Sequence, residues 1–318
     1  MALGTNHIIT TEVTSFIPDI WSDEVIASYK KNLVAAGLVR KLSHNGKKGD
    51  TIKIPTPSRG SASNKDPETQ VTLIQAGTDA TVDVSINKHK EYSRLIEDIV
   101  SVQALESMRR FYTDDAGYAI AKQVDTDILV ELMNKSGASL TYDATNNELT
   151  TASTFPTIYE GDGTTWDETA TTDISDAGLR GFVKLLDDQD APMSGRHCII
   201  PTIVKQDLLG TARFTETQFV GEAGGGNTIR NGLVGDAYGV DFYVTTNLPL
   251  VEDSAGTADN ALGYMFQEDA LVYVEQLGVR SQSQMKLEYL GDLFVTDIIY
   301  GVKLLRDGSV VPFVVPTT

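Results

Sequence analysis

Residues 50–134 constrain this chain more than any other stretch, because two alternating runs joined by a polar tip lead straight into one long helical period. The runs 51–55 (Thr-Ile-Lys-Ile-Pro) and 81–87 (Thr-Val-Asp-Val-Ser-Ile-Asn) place Ile52 and Ile54, then Val82, Val84 and Ile86, on one face of a strand pair. Residues 56–70, rich in Pro, Ser, Asn and Gly, read as a polar tip. A two-stranded ribbon with one apolar face is marginal alone in water, so that face needs a surface to lie on. No sheet-forming run lies close by in sequence, and the simplest supplier is a neighbouring molecule. The chain therefore reads as an assembly protein before it reads as an enzyme.

From residue 98 the period becomes helical. Val102, Leu105, Met108, Tyr112, Ala116, Ala119 or Ile120, Val124, Ile128 and Leu132 form a stripe at three- and four-residue spacing. Glu106, Arg109, Arg110, Asp114, Lys122, Asp125 and Glu131 fall mostly off it. Unbroken over 98–134, such a helix would be on the order of 50 Å long. Gly117 marks a candidate bend in it. No heptad register holds throughout, which favours a helix lying across a sheet over a coiled coil. Ahead of the hairpin, residues 1–15 read as an extended arm. Pro18 then opens a helical pattern through Trp21, Ile26, Tyr29 and Leu33 that Gly37 ends.

Beyond the long helix the period shortens and mixes. The Thr-, Asn-, Asp- and Gly-rich stretch 135–173 reads as short strands or loop, longer than a minimal connection, with an inserted hairpin or a protruding loop as the expectation. Asp176 is the candidate cap of a helix whose face is Leu179, Phe182, Val183 and Leu186. Residues 196–200 read as a strand, 201–209 as a short helix and 221–231 as a Gly-rich loop. Strands follow at 238–246, 262–266 and 271–276. In the strand-rich tail 286–315, Leu293, Val295, Ile298, Tyr300, Val302 and Leu304 approximate alternation on either side of Thr296 and Asp297. The class is mixed α+β.

Composition excludes more than it assigns. A net charge of −18, from 44 acidic and 26 basic side chains, leaves a poor surface for gripping phosphates. It serves solubility, or a container wall that does not hold nucleic acid. No run of eighteen apolar residues exists, so no membrane helix is expected. The first residues lack the basic and apolar regions of a signal peptide. The single cysteine, Cys198, beside Ile199 and Ile200, reads as a buried strand residue in a protein folded under reducing conditions.

No motif carries catalysis. The run Gly221-Glu222-Ala223-Gly224-Gly225-Gly226 shares only glycine content with a phosphate loop; it lacks the Gly-Lys-Ser/Thr ending and carries a carboxylate. His7, His44, His89 and His197 show no metal-pair spacing, and His197 and Cys198 point to opposite faces of one strand. The acidic clusters at 143–148 and 187–190 do not follow a calcium-loop pattern and read as solvated turns and a helix end. No catalytic, cofactor-binding or metal-ligating residue is assigned.

In this order the elements resemble the major capsid proteins of tailed bacteriophages over roughly residues 16–315. Ile17-Pro18-Asp19-Ile20-Trp21 is similar to the opening of one branch of that family, and Gly49-Asp50-Thr51-Ile52-Lys53-Ile54-Pro55 to the start of its extended loop. The long helix is similar to its spine helix. Residues 196–201, Gly235-Asp236-Ala237-Tyr238-Gly239-Val240 and Asn247-Leu248-Pro249 resemble its central domain, and Tyr300-Gly301-Val302-Lys303 its closing strand.

The resemblance implies a Hong Kong 97-type fold in four parts. An N-terminal arm and helix take 1–45, and an extended hairpin loop takes 46–95. A peripheral domain with the spine helix takes 96–172 and 277–306, and an axial domain takes 173–276 and 307–318. It also implies a protein that self-assembles in hexamers and pentamers into an icosahedral shell around phage double-stranded DNA, as part of the virion, built in the host bacterial cytoplasm. A separate scaffolding protein and a portal are the implied partners, with room for a decoration protein. Ile52, Ile54, Arg59, Lys65, Val82, Val84, Ile86, Arg109 and Arg110 are the expected intersubunit contacts, and Gly224, Gly225 and Gly226 are expected near a capsomer centre. Some relatives cross-link a loop lysine to an asparagine. Lys53 and Lys65 lie in the corresponding region, but the chain shows no partner site and that chemistry is not carried over. An encapsulin-like nanocompartment shell is the nearest alternative, and a β-rich hydrolase the alternative of a different class.

Overall fold

The computed structural model describes residues 33–44, 49–56, 62, 64–71, 80–97, 107–135, 139–154, 157–169, 171–211, 235–253 and 260–317. A single 3-10 turn, Ala35–Gly37, leads into β1 (Arg40–Ser43). β2 (Thr51–Thr56) and β3 (Ala80–Ser85) pair antiparallel, with Ile52 opposite Val84 and Ile54 opposite Val82. That is the register the alternation demands. β4 (Lys88–Glu97) precedes α1 (Ser107–Leu132), the long helix, which spans roughly 40 Å. Helix α1 passes through Gly117 without a break. A side chain there would meet nothing within 4 Å, so the glycine costs only its intrinsic propensity. The expected start of the helix at 98, and the helical pattern after Pro18, lie outside the described residues.

Alternation explains how α1 is held. β13 (Leu271–Lys286) and β14 (Gly291–Leu304) form a long antiparallel hairpin, flanked by β1 parallel to β13 and by β4 antiparallel to β14. On one face Ile298, Tyr300, Val302 and Leu304 join Ile120, Val124, Ile128 and Leu132 of α1 in a common core. On the other face Ile299 of β14, with Val272 and Val274 of β13, meets Val84 and Ile86. β13 runs ten residues beyond the expected 271–276, through register shifts between Glu275 and Arg280.

The second, nine-stranded sheet holds β5 (Ser139–Asp143), β6 (Glu148–Thr154), β7 (Tyr159–Glu160), β8 (Arg196–Ile200), β9 (Asp236–Ala237), β10 (Val240–Val244), β11 (Leu250–Val251), β12 (Asn260–Gln267) and β15 (Val310–Pro316). β15 takes one edge of β12, while β11 and β8 share the other. β12 is buried along its whole length. Leu262, Tyr264 and Phe266 face the core shared with α1, while Ala261 and Met265 face α2 (Asp176–Asp188) and α3 (Thr202–Gly210). Gly263 leaves room for the ring of Phe313, which stacks on Phe182 of α2 at 4.9 Å between centroids.

Residues 139–154 within the polar stretch 135–173 form the β5–β6 hairpin, one of the two forms expected there, and it belongs to the nine-stranded sheet, where β6 pairs parallel with β11 and Leu149 is buried. Two expectations are corrected here. The cap of α2 is Ser175, whose Oγ accepts from the Gly178 N–H at 3.0 Å, while Asp176 sits in the first turn. The strand expected from Tyr238 starts at Val240, because Tyr238 and Gly239 both take left-handed backbone in a two-residue hairpin turn between β9 and β10.

Candidate functional site

The extended hairpin is seated on its own chain. A Cβ on Gly301 would collide with the Ser85 carbonyl oxygen and crowd the Ile86 Cα, so hairpin base and β14 cross backbone to backbone. Val84 is fully buried and Ile86 nearly so, against Val272 and Val274, with Ile52 and Ile54 packed alongside. This corrects the expectation that Val84 and Ile86 await a neighbour. The apolar face has a partner in β13, some 190 residues further along the chain, which no local reading of the sequence could supply. Val82 is half-buried. Lys65 is exposed at the tip, its Nζ donating to the Asp66 carbonyl oxygen at 2.7 Å and to Thr69 Oγ1 at 3.3 Å. Arg59, Gly224, Gly225 and Gly226 lie outside the described residues. Arg109 and Arg110 lie on the first turn of α1, and their side chains are also outside them.

A second surface was not anticipated. Past the body, β13, β14 and β4 continue as a three-stranded ribbon that ends in the turn 287–290. There Leu287, Tyr289 and Leu290 are 76%, 62% and 64% exposed, and Met285 and Val279 are also open to solvent. Large apolar side chains clustered on one projection mark an interaction surface more often than a solvated one. Lys88, Lys90, Arg94, Arg280 and Lys286 match Glu91, Glu97, Glu288, Asp292 and Asp297 in number, so these segments are neutral in a chain of charge −18. Arg280 braces the ribbon with two hydrogen bonds to Asp297, at 2.7 and 3.0 Å, and His89 Nε2 lies 3.1 Å from the same carboxylate. The Arg280 hydrogen bond holds the Asp297 carboxyl below its usual range. The signal in the sequence was Leu287-Glu288-Tyr289-Leu290, an apolar turn where strands reverse.

Between the two sheets α1 buries polar groups. Asp125, expected off the apolar stripe, is wholly buried: Oδ1 accepts from the Ala35 N–H at 2.7 Å and Oδ2 from Asn247 Nδ2 at 3.2 Å. Asp127 accepts from Tyr300 Oη at 2.6 Å and pairs with Lys88 Nζ at 3.2 Å. Burial, then the hydrogen bond to Asp127, raises the Tyr300 hydroxyl well above its ordinary value. These carboxylates tie the turn before β1, the 245–249 loop, β4 and β14 to one helix.

Cys198 and His197 lie on opposite faces of β8. Cys198 faces the α2 core, and burial pushes its thiol upward, away from the thiolate a nucleophile needs. His197 lies on the other face of β8 against Tyr243 and Phe266, with Nδ1 3.6 Å from Asp241 Oδ2. In the acidic run, Asp187 pairs with the buried Arg196 at 2.7 Å and Asp188 with Lys184 at 3.0 Å. Asp143 accepts from Thr145 N and Asn146 Nδ2 within the β5–β6 turn. Among the described residues no group of three or more His, Cys, Asp or Glu converges as a metal site.

Residues 97–312 match the model of a phage capsid protein family. No curated protein gives a match. Among solved structures, the capsid of cyanophage P-SCSP1u superposes with a TM-score of 0.73 at 18% identity, covering 99% of this chain and 97% of its own. A structure from Mycobacterium phage Che8 gives 0.68 at 22% identity, covering 94% and 97%. The capsid of Ralstonia phage GP4 gives 0.68 at 14% identity, covering 95% of each chain. The shared architecture is the Hong Kong 97-type α+β capsid fold, and neither a nanocompartment nor a hydrolase is favoured. With this fold and a family model spanning more than half its length, this chain belongs to the phage capsid protein family.

Proposed function

We propose that copies of this chain meet through the outer part of the β2–β3 hairpin and through the ribbon tip, in hexamers and pentamers, and enclose double-stranded DNA without gripping it. The observation that carries this reading is the neutral, apolar tip around Leu287, Tyr289 and Leu290. It is a place where subunits of charge −18 can touch with little repulsion. Ile52, Ile54, Val82, Arg59, Lys65, Arg109 and Arg110 contribute further contacts, and residues 221–231 line the capsomer centre. The four-stranded sheet with α1 forms the peripheral unit and the nine-stranded sheet the axial one, residues 139–154 going with the latter. A scaffolding protein and a portal are the partners in the host cytoplasm, with a decoration protein as a further outer partner, and the chain itself performs no chemistry.

Negative-stain microscopy and sedimentation of the full-length protein, alone and co-expressed with its scaffolding partner, test the reading. Shells or ring-shaped capsomers are expected; monodisperse monomers under both conditions would overturn it. Filter binding of free subunits to duplex DNA should show little retention even at low salt, where counterion release favours binding most. Tight, salt-sensitive retention would contradict an inner wall that does not grip DNA.

A further inference from the structure

β13 changes character along its length. Its start is buried and is held on one side by β1, which pairs only with Val272 to Glu275. Register shifts then fall between Glu275 and Arg280, and from Arg280 to Lys286 the strand runs in unbroken register with β14. Among the described residues nothing pairs with the other side of that stretch. Residues 279–285 are exposed without interruption, so neither face of the strand is covered there. An open strand edge is a template for pairing, and edges that must stay single carry charges or proline. β4, the other edge of the ribbon, follows that rule with Lys88, Lys90, Glu91 and Arg94. β13 departs from it, because between Arg280 and Lys286 it reads Ser-Gln-Ser-Gln-Met. The run is also close to symmetric about Gln282. Ser281 and Ser283 flank that residue, Arg280 and Gln284 come next, and Val279 and Met285, large apolar residues 58% and 50% exposed, stand three positions away on either side.

We propose that this edge of β13 is self-complementary: two copies of the chain pair antiparallel through residues 278–286, about a two-fold axis at Gln282, and join their ribbons into one continuous sheet. An axis normal to the sheet keeps each face on its own side, a condition met only by pairings centred on a residue. Centred on Gln282, Val279 of each copy lies opposite Met285 of the other, and Ser281 lies opposite Ser283. Arg280, still held by Asp297, meets Gln284, and Lys286 meets Gly278. Moving the centre to Ser283 sets Arg280 against Lys286, and like charges directly opposite are destabilising. Moving it to Ser281 puts Leu287 of one copy level with Glu275 of the other, where β1 already holds the edge. The favoured register instead brings Leu287 beside the half-buried Leu277, so the apolar turn of each ribbon finds cover on the other copy. Backbone hydrogen bonds supply the attraction and the side-chain pairs fix the register. The pairing rests on the reading that subunits meet through the ribbon, and it adds which edge they use and how it is aligned.

Cysteine trapping of the full-length protein tests edge and register together, because Cys198 is buried and leaves the surface clear for one added thiol. Gln282→Cys sets that thiol opposite its own symmetry mate, with Cβ atoms about 5 Å apart. Gln284→Cys sets the two thiols four residues out of line, about 14 Å apart. Both positions are exposed, and an unchanged thermal midpoint checks that each variant folds. Mild oxidation, and separately a short bis-maleimide, is applied to free subunits and to assembled particles, and the products are read on non-reducing gels. Covalent dimers are expected for Gln282→Cys and a loss of them for Gln284→Cys. A Gln282→Cys chain that stays monomeric in both states, or equal linking at the two positions, overturns the proposal. Particles that form without the link remove the pairing but leave shell assembly standing. The link in a protein that forms no particles keeps the pairing and removes the shell.

Discussion

A Cβ at Gly301 would stand against the carbonyl oxygen of Ser85 and the Cα of Ile86, backbone atoms that cannot rotate away. Gly301→Ala should therefore lift the hairpin base and uncover Val84 and Ile86, at about 1–3 kcal/mol. A lower thermal midpoint, with faster proteolysis in the hairpin than elsewhere, would report it. Gly117 is the contrasting case. Its site is helical and open, so Gly117→Ala should stabilise the subunit by about 0.5–1 kcal/mol, measured as a raised midpoint of denaturant unfolding. Arg196 shows what a single buried cation can bind together. Its Nε donates to the Pro192 carbonyl at 2.9 Å, and its Nη2 donates to the Ala191 carbonyl and to Asp187, both at 2.7 Å. An ammonium cannot reproduce that fork, and Arg196→Lys should cost about 2 kcal/mol in the same unfolding measurement.

Among elements, the hairpin and the spine helix were legible because each carries its period in consecutive residues. Ile52 opposite Val84, and the stripe from Ala116 through Ile120, Val124, Ile128 and Leu132, follow from alternation and from three- and four-residue spacing. What each element lies on was not legible. The cover for Val84 comes from Val272 and Val274, and the partners of Asp125 come from Ala35 and Asn247, all far away in sequence. Periodicity sorts Asp125 to the outside because it weighs polarity, and polarity says nothing of a donor on another element. The place of the β5–β6 hairpin was hidden for a related reason: its Thr-rich strands carry few apolar residues, and pairing of β6 with β11 decides where they lie. These contacts also change what a charge at position 84 does. Val84→Asp buries an unpaired carboxylate within the subunit, so the free subunit itself should lose on the order of 4 kcal/mol, seen by thermal unfolding before any assembly.

At the scale of the whole molecule, subunits of charge −18 must gather at high local concentration. Assembly, followed by light scattering, should therefore speed up as moderate salt screens their mutual repulsion, and Leu287→Ser with Leu290→Ser should slow it without lowering the subunit's thermal midpoint. Acid weakens the ribbon. Asp297 is held below the ordinary carboxylate range chiefly by Arg280, so its contribution to the ribbon is present above that range and disappears as pH falls through the lowered value. Arg280→Ala should remove that step from the acid-unfolding curve. β14, meanwhile, serves as the web of a girder whose flanges are the spine helix and the extended hairpin. One strand thickness separates them, and at Gly301 no side chain cushions the joint. The hairpin also leans on Val272 and Val274 of β13, so a displacement of its base reaches the helix through one layer of sheet rather than through flexible loops.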